Sequence, residues 1–354
     1  MLGPMLARAF PGDEVDDLDV LELVRTKPVD YVRAAISGAV HQARPLVSRR
    51  TDVKRAIVTS PGYQAAVRRI VESRVSPATH RFSLQSQSIF SSAIDGVPHF
   101  VYTDHAHLAN LAYPAFDRRR LASRRYLSME ADLYRSARTV FVRSNNVRDV
   151  IVHGYGCPED RVAVIGVGPN VDPDTFGEHV GWHDGRIIFI GVDWERKGGP
   201  QLVEVFRKLR RERPSVRLDI VGCSPPGVAG DGIEVHGRRS LAEVADLMAG
   251  ADIFCLPTLA EPFGVAFIEA MHAGLPIVGT RLGAIPDFVL PGETGLLVEP
   301  LDVDDLHRAL HDLVSDPDAA MRMGTQARSL ARERYDWGVV MTTMHDHIEQ
   351  CVAP

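Results

Sequence analysis

The sequence predicts an α/β protein of two lobes with a cleft between them, each lobe built from parallel βαβ units, and three observations carry that reading. The length is 354 residues, and at roughly 100–200 residues per domain this makes two domains, each able to bury its own core. From residue 186 onward, short β-branched runs alternate with helical patterns: RIIFIGV (186–192), VRLDIVG (216–222), IEVHG (233–237), DIFCLPT (252–258), LPIVGT (275–280) and GLLVEP (295–300). Runs of this kind, each followed by a helix-like stretch, are the mark of a parallel sheet buried on both faces. The N-terminal half repeats the alternation less regularly.

In chain order, the strands expected in the first lobe are RAIVTS (55–60), PHFVYTD (98–104), TVFVRS (139–144) and RVAVIG (161–166), with helical patterns between them. GVGPNVDPDTFGEHVGWHDG (166–185) is rich in Gly, Pro and Asp and has no periodicity, which reads as a linker. The domain boundary is therefore placed near residue 180, giving lobes 1–180 and 181–354. In the second lobe, Ser240 caps LAEVADLMAG with Glu243 at the third position, and Gly250 closes that helix. Gly274 and Pro276 stop the helix that starts near Val265. The last stretch, WGVVMTTMHDHIEQCVA, is helical in pattern and is expected to cross back onto the first lobe. No internal repeat is found beyond the βα alternation.

Hydrophobic residues make up 45%, charged residues 24% and aromatic residues 7% of the chain, which excludes disordered and fibrous classes. No apolar run approaches the length of a membrane span, and the N-terminus lacks a secretory signal pattern. Cys157, Cys223, Cys255 and Cys351 are far apart with no CxxC pair, so neither a disulfide framework nor a structural zinc site is encoded. A cytoplasmic location is expected. Residues 1–180 hold 23 basic against 20 acidic side chains and residues 181–354 hold 17 against 26. That balance argues against general nucleic-acid binding.

The segment PTLAEPFGVAFIEAMHAGLPIVGT (257–280) carries the most chemistry. Glu261 falls in the loop after a buried strand, where open α/β sheets bind ligands, and Glu269 falls about one turn into the following helix. Pro262, Phe263 and Gly264 make a tight turn into that helix, so the backbone N–H groups of Val265 and its neighbours offer a phosphate site. Glu269 sits among apolar residues and needs hydrogen-bond donors, such as the hydroxyls of a ribose. The plainer alternative pairs Glu269 with Arg281 and leaves Glu261 a solvated loop acid. In FIGVDWERKGGPQLVEVF (189–206), Arg196 and Lys197 stand in a Gly-flanked loop that opens a helix, a setting suited to a diphosphate. Only four of the 40 cationic side chains are lysines, which singles out Lys197, although adjacent basic loop residues are commonly just solvated.

Together, Lys197-Gly198 after the first strand of this lobe, the Glu261 to Glu269 spacing within EPFGVAFIEAMHAGLPIVGT, and GETGLLVEP resemble the retaining glycosyltransferases of family 4, glycosyltransferase group 1. These have the GT-B fold, two Rossmann-like lobes facing each other across a cleft, and use nucleotide-diphosphate sugars. The resemblance is strong over about 139–335 and weak over residues 1–100. It implies that Arg196 and Lys197 hold the donor diphosphate, Glu261 contacts the donor sugar and Glu269 binds the ribose. Phe263, Gly264 and Val265 would offer backbone to phosphate or sugar. Many members have an arginine after the glycine of the first strand, whereas Gly191 is followed here by Val192. The DWERKGG wording resembles a subgroup in which the Arg-Lys pair is adjacent, including lipopolysaccharide core glucosyltransferases.

On the first lobe, Asp104, His105 and His107 follow a strand, and family members often have a histidine at the His105 position, lining the acceptor and sugar site. The plainer alternative is a strand-end histidine capping a backbone group. Gly166, Gly168 and Asn170 resemble the family's linker turn. Residues 118–148 hold nine arginines against Glu130 and Asp132. A solvated helix face is the preferred reading of this stretch, and the other is peripheral contact with anionic membrane through an apolar face of Leu121, Tyr126, Leu127 and Leu133.

The implied function is retaining transfer of a sugar from a nucleotide-diphosphate donor, with UDP- or GDP-sugars as the expected donors, to a hydroxyl of a glycan, glycolipid or small metabolite, as in polysaccharide biosynthesis. No separate cofactor and no metal are expected, since Arg196, Lys197 and the helix terminus supply positive field. The rival readings are a nucleotide-sugar epimerase or phosphorylase on the same fold and a catalytically degenerate binding subunit. A GT-B transferase normally opens with a strand and a glycine-rich loop. Here LGPMLARAF resembles the first helix and DEVDDLDV the second strand, so the opening strand is missing from this sequence; the preferred reading places it upstream, and the other is a protein that has lost the loop and with it normal catalysis.

Overall fold

The computed structural model describes residues 2–47, 51–177 and 181–352. The boundary expected near residue 180 falls on residues outside that description. The chain forms two compact units: unit 1 takes Met1–Leu111, Phe116–Ile165 and Met341–Pro354, and unit 2 takes Ala112–Ala115 and Gly166–Val340.

Unit 1 begins with six helices, α1 (Leu2–Ala9), α2 (Val20–Thr26), α3 (Pro28–His41), α4 (Ala43–Val47), α5 (Val53–Val58) and α6 (Pro61–Glu72). RAIVTS is not a strand: Asp52 accepts the Arg55 N–H at 2.8 Å and caps α5, so the apolar run becomes a helix whose Ala56 and Ile57 are buried. A short apolar run has no period that separates a strand from a buried helix. DEVDDLDV is not a strand either, because residues 14–19 have no regular structure and Asp19 caps α2 through the Glu22 N–H at 2.9 Å. Five acidic side chains in DEVDDLDV leave it little apolar surface to bury.

The unit 1 sheet consists of β1 (Ser83–Ser86), β2 (His99–Thr103), β3 (Thr139–Val142) and β4 (Val162–Val164), parallel and in that order. β1 is a polar strand that the sequence pattern does not show; it pairs with β2 from Ser83–His99 to Ser86–Tyr102. Between β3 and β4 lies α8 (Asn145–Asp149), and before β3 lies α7 (Arg124–Ser136). From Met341 onward the final helix, which spans Trp337–Val352, belongs to unit 1. There its His345 ring lies 4.9 Å from Phe10 and His347 lies 5.9 Å from Phe141.

Unit 2 holds β5 (Arg186–Ile190), β6 (Arg217–Val221), β7 (Ile233–Gly237), β8 (Ile253–Leu256), β9 (Ile277–Thr280) and β10 (Gly295–Val298), all inside the six runs expected from sequence. The sheet is parallel throughout, in the order β10-β9-β8-β5-β6-β7. The helices are α9 (Gly199–Glu212), α10 (Leu241–Ala249), α11 (Val265–His272), α12 (Val303–Ser315) and α13 (Pro317–Arg334), followed by α14 (Trp337–Val352). α9 packs Leu202, Val203, Val205, Phe206 and Leu209 against the sheet, each side chain contributing roughly 1.5–3 kcal/mol by burial. The capping box expected at Ser240 and Glu243 is present.

Candidate functional site

In unit 2 the chain lays down β5, β6 and β7 outward on one side, then crosses to β8, β9 and β10 on the other. β5 and β8 are therefore neighbours whose following loops run to opposite sides, the switch point where a crevice opens at the carboxyl ends of the strands. The two loops are those carrying Arg196–Lys197 and Glu261, and they are stitched together. Leu259 N–H donates to the Arg196 carbonyl at 2.8 Å, and Arg196 Nη1 donates to the Ala260 carbonyl at 2.7 Å. Gly198 permits this approach, having φ +75° with the Pro257 carbonyl oxygen where a Cβ would stand.

Lys197 and Glu261 form a direct ion pair, with side-chain exposures of 13% and 8%. The plainer alternative of a solvated Glu261 is thereby ruled out. A pair so placed at the edge of a crevice fixes the orientation of both groups, since each holds the other against its loop. The Lys197 stem lies against Gly191, 3.0 Å from the position of a Cβ there. Val192, standing where many family members have arginine, is 66% exposed. Arg196 also bonds Asp193 Oδ2 at 3.1 Å and remains partly exposed.

α11 begins directly after this loop. Its N-cap Gly264 has φ +90° and no side chain caps the helix, so its first N–H groups lack intrahelical acceptors and carry the positive end of the helix field. Phe263 contributes backbone only, because its ring is buried against Phe288 and Tyr335. Val265 opens the helix itself. Glu269, one turn further, is 6% exposed. Its Oε1 accepts the Asn170 N–H at 3.1 Å, and Arg281 pairs instead with Glu299 at 3.0 Å. The alternative pairing of Glu269 with Arg281 therefore fails. Asn170, seen in the sequence only as part of a linker turn, is a partner that a separation of 99 residues hides.

Burial pushes the Glu269 pKa above its ordinary value of 4.5, against the pull of the Asn170 bonds. A carboxyl whose folded pKa is raised contributes most stability below its unfolded pKa, and that contribution is lost as pH rises through the folded value. Glu269→Gln is expected to lessen the fall in stability as pH rises above 4.5, read by urea denaturation at a series of pH values. An unchanged pH dependence would show that Glu269 titrates normally.

In unit 1, His105 follows β2 and its Nε2 lies 2.9 Å from Asn110 Nδ2, while Nδ1 is buried with no hydrogen-bond partner. The ring therefore does not cap a backbone group. Burial lowers its pKa. The loop carrying it is anchored by Glu130, a carboxylate that sequence reading passed over within the arginine-rich stretch. Buried on α7, Glu130 accepts from the His107 N–H at 3.1 Å, Ser88 Oγ at 3.1 Å and Tyr134 Oη at 3.1 Å, and also from Tyr155 Oη. Residues 118–148 are not one helix but a 3-10 turn, α7, β3 and the start of α8. Tyr126 and Leu133 are buried and Leu127 packs half-buried against the core that holds Leu133, so these three face inward, while Leu121 is half-buried outside that core. Exposed apolar side chains of this unit stand instead along α3, at Val29, Val32, Ile36 and Val40.

Residues 184–316 match the model of the family described as glycosyl transferases group 1. That stretch of the chain is similar to the group 1 glycosyl transferases. An MMP alpha-(1->4)-mannosyltransferase of Mycolicibacterium hassiacum is 34% identical over 224 residues, which cover 60% of this chain and 54% of that protein. A GDP-mannose-dependent alpha-(1-6)-phosphatidylinositol monomannoside mannosyltransferase of Mycolicibacterium smegmatis is 29% identical over 269 residues, covering 66% of this chain and 70% of that one. The match thus spans about half the length of the first relative. Among solved structures, sucrose-phosphate synthase from Thermosynechococcus elongatus superposes with a TM-score of 0.66 at 21% identity over 83% of this chain and 78% of its own. The fold is accordingly α/β of the GT-B class, with two parallel sheets.

Arg196, Lys197, Glu261, Gly264, Val265 and Glu269 all belong to unit 2, while His105 belongs to unit 1. One set of metal-ligand atoms comes together among the described residues, Asp219, Glu234 and His236. The Arg186 guanidinium engages Asp219 and His236 Nε2 lies 2.7 Å from it. A cation there would have to displace the arginine, and the set reads as an ion-pair network. No helix among the described residues is long and apolar enough to cross a membrane.

Proposed function

We propose that this chain transfers a sugar from a nucleotide-diphosphate sugar to a hydroxyl acceptor with retention at the anomeric carbon. The observation that carries this reading is the Lys197–Glu261 pair set beside Arg196 and the uncapped N-terminus of α11, at the switch point of a six-stranded parallel sheet. Arg196, Lys197 and the helix terminus would receive the diphosphate and stabilise the charge it gains as the anomeric C–O bond breaks. Glu261 would face the reacting sugar, and Glu269 would accept hydrogen bonds from the ribose hydroxyls. The acceptor oxygen bonds to the anomeric carbon from the face that the phosphate leaves, and its proton passes to the departing phosphate oxygen. This route needs no separate general base. UDP- and GDP-sugars are the proposed donors, and the name of one mannosyltransferase relative specifies GDP-mannose.

With fixed cations in this role, transfer is expected to survive excess EDTA. The test is transfer from a panel of UDP- and GDP-sugars with the anomeric configuration of the product read by NMR, with and without chelator. Retained configuration and retained turnover support the reading. Inversion overturns the retaining assignment, and activity that returns only with magnesium or manganese overturns the metal-independent one.

A further inference from the structure

Unit 1 contains a pocket of about 410 Å³ that the transfer chemistry above does not use. Its lining joins Lys54, Arg55 and Thr59, from α5 and the turn after it, to His107, Asn110, Phe116 and Tyr126. The volume lies within the range of small-molecule sites, about 300–1,000 Å³. Among the described residues neither Lys54 nor Arg55 has a carboxylate ion-pair partner. Arg55 Nη2 instead rests 3.2 Å from the His107 ring. Asp52 also lines the pocket, but its Oδ1 is committed to the Arg55 N–H as the cap of α5.

His107 brings no charge of its own. Its Nε2 accepts the Ala122 N–H at 2.8 Å, and burial together with Arg55 pushes its pKa down to about 4. The pocket thus combines two cations and one carboxylate with aromatic walls, Tyr126 standing edge-on to His107 at 5.9 Å between centroids. Adjacent Lys and Arg side chains suit a doubly charged, multi-oxygen anion better than a neutral hydroxyl compound.

We propose that this pocket binds the phosphate ester group of a small phosphorylated sugar or polyol through Lys54 and Arg55, with the carbon skeleton against Phe116 and Tyr126.

Calorimetric titration of the full chain with glucose 6-phosphate, inorganic phosphate and glucose tests the binding. Glucose 6-phosphate is expected to bind most tightly and glucose not at all at the same concentration. Lys54→Gln and Arg55→Gln are each expected to weaken the ester about tenfold or more. Lys54 is exposed, so its variant should keep the wild-type melting temperature even if the Arg55 variant does not fold. Equal ester affinity in Lys54→Gln, or no ester binding by the wild type, overturns the proposal. UDP and GDP titrations of the same variants should match wild type. Failure of every nucleotide to bind would count against the transferase reading while leaving the ester result standing.

Discussion

Lys197→Ala is expected to abolish measurable transfer and to destabilise unit 2 by about 3 kcal/mol, the lower end of the cost of breaking a buried pair. The lower end applies because the pair edges onto solvent, with side-chain exposures of 13% and 8%. For a unit of this size the melting transition should fall by roughly 6–12 °C. The cost comes from leaving the Glu261 carboxylate buried and unpaired. The double variant Lys197→Met/Glu261→Leu should therefore recover most of the lost stability while remaining inactive, because no charge is then stranded. Calorimetric melting of both variants separates the two effects. If the double variant is less stable than Lys197→Ala, the pair is not what sets the stability of these loops.

Gly198→Ala should produce the second large effect. Gly198 has φ +75°, and an added Cβ would overlap the Pro257 carbonyl oxygen, a backbone atom that cannot swing away. The left-handed conformation alone costs a residue with a Cβ roughly 1–2 kcal/mol, and forcing the two loops apart adds to it. A loss above about 3 kcal/mol is expected, near the upper range for single substitutions, together with weaker nucleotide binding because Arg196 and Lys197 move with the loop. Gly227 is a matched control: its φ is +73° with nothing within 4 Å of a Cβ. Gly227→Ala should show the conformational cost alone. Equal destabilisation by the two substitutions in urea would show that the loop contact carries no weight.

The second unit was legible in the sequence for a physical reason. Parallel strands covered on both faces must be apolar on both sides, so RIIFI, IFCL and IVGT stand out as unbroken runs. The same rule fails in the first unit. RAIVTS is equally apolar, but Asp52 turns it into a helix. SLQS is polar yet forms an edge strand, its Gln85 amide buried and donating to the Phe90 carbonyl while its oxygen accepts from Ser92 at 2.9 Å.

At the site, Glu261, Glu269 and Lys197 were picked out by residue type, rarity and position after strands. Their partners were not, because pairing is non-local: Lys197 and Glu261 are 64 residues apart, and Asn170 reaches Glu269 from the segment before β5. Glu130 was hidden for a different reason. One acid within a run of arginines reads as a surface charge, and only the packing of Tyr134 and Tyr155 around it shows a buried acceptor.

We propose that the loops after β5 and β8, with the start of α11, form a nucleoside diphosphate site. The most direct measurement is a thermal-shift screen of the wild type, Lys197→Ala and Glu269→Ala against UDP, GDP, ADP and inorganic diphosphate. A ligand at 100 times its dissociation constant adds roughly 2.7 kcal/mol of stability. One nucleoside diphosphate should raise the wild-type transition by several degrees. That shift should be lost in Lys197→Ala and strongly reduced in Glu269→Ala, and inorganic diphosphate should respond to Lys197 but not to Glu269. No shift with any nucleotide, or equal shifts in all three proteins, would contradict the assignment.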